Sequence, residues 1–127
     1  MENKRLFVFT LATNVYNNYI PAQLETWNNA FPNIDDKKLI IISDRKYDFS
    51  EYDNIYSVKI PNIHYNLMCV SKFSYCTYAL DDLGLDHDND DLFLFVDADT
   101  KYLERPIEVW ETVTNLLSTY NLVVNPY

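Results

Sequence analysis

LFLFVDADT, Leu92–Thr100, is the stretch that decides how this chain is read. Its five apolar residues, Leu92–Val96, carry no polar interruption, which fits a strand buried on both faces in a parallel sheet. Upstream, Leu6–Leu11 (LFVFTL) and Leu39–Ser43 (LIIIS) have the same character, and Ile55–Ile60 (IYSVKI) alternates until Pro61 stops it. Helix-spaced stripes lie between these runs. Ile20, Leu24, Trp27 and Phe31 form one, with Pro21 tolerated in the first turn; Cys69, Phe73, Cys76, Leu80 and Leu83 form another, ending near Gly84. Downstream, Pro106 opens a helix to about Thr119 that is expected to bury Val109, Val113 and Leu116, and Leu122–Val124 begins a last strand. Strands alternating with helices predict one domain over residues 1–127, a Rossmann-like three-layer α/β/α with a mostly parallel central sheet.

Composition narrows the function classes. The chain has 127 residues, 48% hydrophobic and 23% charged, which are globular values and exclude wholesale disorder. No apolar run approaches the ~18 residues of a membrane span, and Met1–Arg5 leads into a strand-like run rather than a signal peptide. Ten basic against nineteen acidic residues give a net charge of −9, which argues against a nucleic-acid partner. Two cysteines, Cys69 and Cys76, make no disulfide framework and predict a reducing, cytoplasmic compartment. A single glycine, Gly84, excludes both the P-loop and the dinucleotide fingerprint, whose backbones must approach phosphate without a Cβ in the way. A nucleotide held here would be held by side chains and a metal. The six aspartates of Asp81–Asp91 (DDLGLDHDNDD) read as a solvated loop before the strand.

In an open α/β sheet ligands bind outside the carboxyl ends of the strands. The strand Leu92–Val96 ends in Asp97-Ala98-Asp99, and residues two apart in an extended chain point the same way. Two carboxylates so placed repel unless a cation or proton lies between them, and hard oxygen donors select Mg²⁺ or Mn²⁺. An aspartate capping the following turn is the other reading. A haloacid-dehalogenase-type phosphatase would need Thr or Val where Lys101 stands, and would place this strand near its start. An EF-hand from Asp86 would need Gly where Asp91 stands and Glu where Asp97 stands. A receiver-like phosphoacceptor domain would need an acidic pair where the first strand ends in Thr13-Asn14. All three fail.

FLFVDADTKYLERPIEVW (Phe93–Trp110) resembles the DxD segment of GT-A glycosyltransferases, closest to families 8 and 6. TLATNVYNNYIPAQLETWNNAFP (Thr10–Pro32) resembles the first strand and helix of such enzymes, and SKFSYCTYAL (Ser71–Leu80) offers Lys72 where they usually carry a basic residue. The resemblance covers nearly the whole chain in element order, and the DxD segment is its moderately specific part. It implies a GT-A-type fold and a metal-dependent hexosyltransferase, or its donor-binding half, acting on a nucleotide-diphosphate sugar, UDP-sugar first. Asp97 and Asp99 would hold Mn²⁺ or Mg²⁺ against the two phosphates, with Ala98 between them against the donor. Thr13, Asn14 and Tyr19 would line the base and ribose side, Tyr16 is a further stacking candidate, and Lys72 would reach the diphosphate or else face solvent. Asp44 would hydrogen-bond the base or simply form a turn. His64 and His87 lack metal-ligand spacing and read as loop residues.

Enzymes of this kind are usually much longer, and their second half supplies the acceptor site and the catalytic carboxylate. The resemblance therefore implies a GT-A domain truncated after the DxD helix, with Asn125-Pro126-Tyr127 a remnant of the next turn, and leaves the catalytic residue unassigned. The expected partners are the nucleotide-sugar and a sugar or glycan acceptor, and homo-oligomerisation, as a way to complete the site, stays open. The alternative is a non-catalytic α/β interaction module derived from a glycosyltransferase.

Overall fold

The computed structural model describes residues 4–62, 65–88, 90–119 and 123–124. Five strands, β1 (Arg5–Ala12), β2 (Asp36–Ser43), β3 (Ile55–Lys59), β4 (Leu92–Val96) and β5 (Val123–Val124), form one sheet in the order β3-β2-β1-β4-β5. Every pairing is parallel, with Val8 opposite both Leu39 and Leu94 at the centre. The expectation of a mostly parallel sheet is met by a wholly parallel one among the described residues. The helices are α1 (Ile20–Thr26), set between 3₁₀ turns at Asn14–Tyr19 and Trp27–Asn29, then α2 (Tyr65–Leu83) and α3 (Ile107–Thr119). None of the described helices is long and apolar enough to cross a membrane.

The central strands are buried on both faces, and alternate residues divide into two cores. Leu6, Val8, Leu39, Ile41, Leu92 and Leu94 face Ile20, Trp27 and Phe31 from the α1 segment and Leu117 from α3. Phe7, Phe9, Ile40, Ile42, Val58 and Phe95 face Ala79 and Leu80 of α2. The result is three layers, α/β/α, with α2 alone on its side among the described helices. Because α1 and α3 share a face while β2 and β5 lie on opposite sides of the β1–β4 pair, the two crossovers have opposite hands. Right-handed crossovers are the rule for parallel strands, so one of these two departs from it.

Several boundaries differ from the sequence reading for identifiable reasons. The stripe from Ile20 does not run on as one α-helix to Phe31: α1 ends at Thr26, and Phe31, buried, takes a left-handed backbone with φ 49° that turns the chain toward β2. β2 starts at Asp36 rather than Leu39, because Lys37 and Lys38 lie their stems on the sheet and carry their ammonium groups out to the Ala30 carbonyl and to Asp36. In α3 the inward line is Trp110, Val113 and Leu117; Val109 and Leu116, expected inside, are 45% and 48% exposed. The Trp110 ring sets this register by packing 4.8 Å from that of Phe31. Phe73, also expected inside, is 43% exposed at the margin of α2, and the side chain of Cys69 lies outside the described residues. His64, Leu122 and Asn125-Pro126-Tyr127 lie outside them as well.

The aspartate-rich segment is not simply a solvated loop. Arg5, at the start of β1, donates two parallel hydrogen bonds of 2.8 Å to the Asp91 carboxylate and lies 3.6 and 3.7 Å from Asp86 and Asp88. The hydrogen bond to Asp91 is the main force holding the guanidinium protonated, and all three aspartates add to it. The backbone N–H of Asp88 donates to the same Asp91 carboxylate, so the loop is wound onto the end of the sheet opposite the candidate site.

Candidate functional site

Strand order reverses between β1 and β4: the chain steps from β1 outward to β2 and β3, then returns through α2 to β4 on the far side. The crevice beyond the carboxyl ends of β1 and β4 is where ligands lodge in open α/β sheets. The ends of those strands, and of β2 between them and β3, carry Thr13-Asn14, Asp44 and Asp97-Ala98-Asp99.

The acidic loop after β4 is a tight turn rather than extended chain, with the backbone N–H of Thr100 donating to the Asp97 carbonyl at 3.0 Å. The alternation that would aim both carboxylates the same way therefore stops at Val96, and it is the turn that keeps Asp99 beside Asp97. The turn is fastened from beneath. Thr10 of β1 donates its hydroxyl to the Val96 carbonyl at 2.8 Å, and Gln23 of α1, wholly buried, donates from Nε2 to the Ala98 carbonyl at 3.2 Å. The Tyr102 hydroxyl donates to Gln23 Oε1 at 2.7 Å, its backbone N–H donates to Thr26 Oγ1 at 2.9 Å, and its carbonyl accepts from Asn29 at 2.9 Å. Ala98 is buried, so it contributes this anchored carbonyl rather than an accessible side chain.

Asp97 is half-buried and Asp99 exposed. Burial pushes the Asp97 carboxyl above the ordinary range, the Asp99 charge pushes it further, and the Lys72 ammonium pulls it back. Lys72 thus acts on the acidic loop from α2, where its Nζ sits 5.2 Å from the centre of the Phe95 ring and 5.5 Å from that of Phe73. Phe95 is two residues before Asp97 on β4, so the aromatic floor under the lysine belongs to the same strand. A carboxylate disfavoured by burial and by a like charge is one that a cation relieves. Among the described residues no group of three or more His, Cys, Asp and Glu side chains is placed to hold a metal ion. Two carboxylates suit a cation that takes its remaining oxygens from phosphate and water, as Mg²⁺ typically does.

The other half of the crevice is polar and closely bonded. Asn17, buried in the 3₁₀ turn after β1, donates to Asp44 Oδ1 at 2.8 Å and to the Asn14 carbonyl at 3.0 Å. Its Oδ1 accepts from the hydroxyls of Ser43 and Tyr47, both at 2.5 Å. Burial pushes the Asp44 carboxyl up, but hydrogen bonds from Asn17, the Asn14 backbone and Ser43 outweigh it and leave the group below its ordinary value. Asn14 holds a left-handed backbone with φ 55°, which asparagine tolerates, and pairs with Asn62 after β3 through two amide hydrogen bonds of 2.9 and 2.7 Å. Tyr16 and Tyr19 are exposed, their ring centres 6.4 Å apart, on the solvent side of the same turn. Thr13, expected to line the site, is wholly buried beneath it.

Of the sequence-derived residues, Lys72, Asp97 and Asp99 come together on one side and Asn14 and Asp44 on the other. Sequence reading missed Asn17, Tyr47, Asn62, Gln23 and Tyr102. Only Gln23 carried a signal: it falls on the buried stripe of α1, where an amide is costly unless both its ends are bonded. His87 stays a loop residue, its Nδ1 3.0 Å from the Leu85 carbonyl and its ring edge-on to Phe7 and Phe93.

What fold and site define is a small α/β protein with an all-parallel sheet and an acidic turn where its strand order reverses. Compared with known proteins, the chain matches no protein-family model and no curated protein sequence.

Proposed function

We propose that this chain binds the nucleotide-diphosphate sugar of a metal-dependent, GT-A-type glycosyltransferase, as the enzyme or as its donor-binding part, for transfer of a hexose to an acceptor hydroxyl. The observation that carries this reading is the Asp97–Asp99 turn with Lys72 over Phe95, set at the crevice between β1 and β4. The glycosyltransferase-like DxD segment, Phe93–Trp110, coincides with that position.

Asp97 and Asp99 would hold Mn²⁺ or Mg²⁺, and when bound the ion supplies positive charge against the leaving diphosphate. The chain's own residues do the rest. Lys72 adds a second positive charge from α2, Gln23 and Tyr102 keep the turn from moving, and Tyr16, Tyr19 and Asp44 offer stacking surface and an acceptor to the nucleoside. The test is calorimetric titration of UDP with and without Mn²⁺. Each should strengthen the other's binding, and Asp97→Asn and Asp99→Asn should each remove most of that coupling. Equal UDP affinity with and without Mn²⁺ would sink the reading, and leave the non-catalytic interaction module in its place.

A further inference from the structure

We infer that Asn17 is the positioning residue of the nucleoside end: it fixes the Asp44 carboxylate as an oriented acceptor whose second oxygen is left for a ligand N–H or O–H. The role for the ligand rests on the nucleotide-binding reading above; the role toward Asp44 rests on geometry alone.

A side-chain amide has two N–H donors and an oxygen that accepts twice. Asn17 uses all four positions inside the protein, giving to Asp44 Oδ1 and the Asn14 carbonyl and receiving from Ser43 and Tyr47. It therefore has nothing to offer a ligand directly. What it does is join the turn after β1 to the end of β2 and to Tyr47 beyond it. Asp44 is in a different condition: Oδ1 receives from Asn17 and, at 3.4 Å, from Ser43. Among the described residues the bond to Oδ2 is a long one of 3.4 Å from the Asn14 N–H, and Asp44's own N–H also helps to hold the carboxylate low. A carboxylate pinned through one oxygen and lightly used at the other is a pre-set acceptor. Among the described residues the titratable and charged groups at this corner are the Tyr47 phenol and the Arg45 guanidinium, and it is the phenol that feels both neighbours, pulled down by Arg45 and pushed up by Asp44; Asn14, Asn62 and Ser43 are neutral.

Asn17→Asp keeps the shape and the two accepted hydroxyl bonds but removes both donors, the one to the Asn14 carbonyl and the one to Asp44, and sets a second carboxylate against Asp44. The Asp44 carboxyl, followed by carbon-13 NMR without ligand, should titrate at higher pH in Asn17→Asp. Asp48, held low mainly by Ser50, serves as an unmoved internal reference. At pH 7.5 with Mn²⁺, UDP binding should weaken at least tenfold while inorganic pyrophosphate binding stays unchanged. The loss should shrink as pH falls and the two carboxylates come to share a proton, whereas wild-type binding only declines with acid. Tyr47→Phe removes one hydroxyl from Asn17 without touching Asp44 and should weaken UDP a few-fold, again sparing pyrophosphate.

An unmoved Asp44 titration in Asn17→Asp overturns the proposal, as does equal loss of UDP and pyrophosphate. Should Asn17→Asp not fold, an unchanged UDP affinity in Tyr47→Phe overturns it. Wild-type protein that binds pyrophosphate with Mn²⁺ but discriminates nothing in favour of UDP overturns the ligand role of Asn17 and spares the metal–diphosphate reading. Wild-type protein that binds neither overturns both.

Discussion

Gln23 and Ala98, seventy-five residues apart in sequence, are joined by a 3.2 Å hydrogen bond from a fully buried amide to the carbonyl between the two aspartates. The acidic turn is thus held by the helix layer below it as well as by its own strand. A turn fixed in this way keeps its carboxylates placed before any ligand arrives.

Replacing that amide tests the anchoring. Gln23→Leu has nearly the same volume but strands the Ala98 carbonyl and the Tyr102 hydroxyl, at about 1–3 kcal/mol for each group left unpaired. Tyr102→Phe should relieve part of that cost, so the double variant should lose less than the sum of the singles. Urea unfolding of the four proteins measures it, and strict additivity would show that the three groups do not act together.

The raised Asp97 carboxyl has a stability signature with a definite sign. A folded value above the unfolded value, near 3.8, means the native state binds the proton more tightly. Stability is then lost as pH rises from the unfolded value through the folded one, and in metal-free buffer at pH 7 Asp97→Asn should unfold at higher urea than wild type. The advantage should vanish below about pH 3.8, where both states of wild type are protonated. Adding Mn²⁺ should stabilise wild type and leave Asp97→Asn unmoved. An Asp97→Asn that melts earlier than wild type without metal would instead assign Asp97 to capping the turn.

Lys72 is tested by splitting diphosphate from nucleoside. Lys72→Ala should weaken UDP by about 1.5–3 kcal/mol, the range for a hydrogen bond to a charged group, and leave uridine binding alone. Its ammonium already lies over Phe95 and within reach of Asp97's charge, so the fold should tolerate the change. Equal loss of both ligands, or of neither, returns Lys72 to a surface role.

The register of α3 is open to a simple comparison. Leu117 is buried against the sheet and Leu116, its neighbour, is 48% exposed. Leu117→Ala should cost about 2–5 kcal/mol, as large-to-small core changes do. Leu116→Ala should fall within about 0.5 kcal/mol of wild type. The reverse ranking would restore the line through Val109 and Leu116 that the sequence spacing suggested.

Cys76 should be chemically quiet. Burial pushes its thiol up to about 12, with Lys72 pulling only weakly the other way. In a Cys69→Ser background, where Cys76 is the one thiol left, an aromatic disulfide reagent at pH 8 should react slowly with native protein and fast in urea. Rapid native reaction would place the thiol at the surface.

The sheet was legible because its information is local: β1, β2 and β4 contain short apolar runs, and a strand buried on both faces announces itself by composition alone. The acidic turn was legible because Asp97 and Asp99 are two residues apart. What stayed hidden is long-range. Nothing near Asn17 tells that Tyr47 and Asp44 will close around it, and nothing in Asp81–Asp91 points to Arg5, which bonds across eighty-six residues. Lys37 and Lys38 disguised the start of β2, since a charged residue whose stem lies on a sheet reads as loop. The α3 stripe failed differently: Val109, Val113 and Leu116 have helical spacing, but Trp110 outweighs them in buried area and rotates the helix toward its own side.

β1 pairs along one edge with β2 and along the other with β4, Leu6 reaching Leu92 and Thr10 reaching Val96. During synthesis the first edge can be satisfied early, but the second must wait until β4 has been made. For that interval the middle strand of the finished sheet is an exposed edge of Leu, Phe and Val, the kind of surface that invites pairing with another chain. Closing so long a loop is also entropically demanding, which delays it relative to local contacts. The acidic turn, hung from β4 and fastened by Gln23, can therefore be assembled only after the sheet's last central strand has docked. A cell making this chain has a misassembly window that closes only once β4 has left the ribosome and docked against β1.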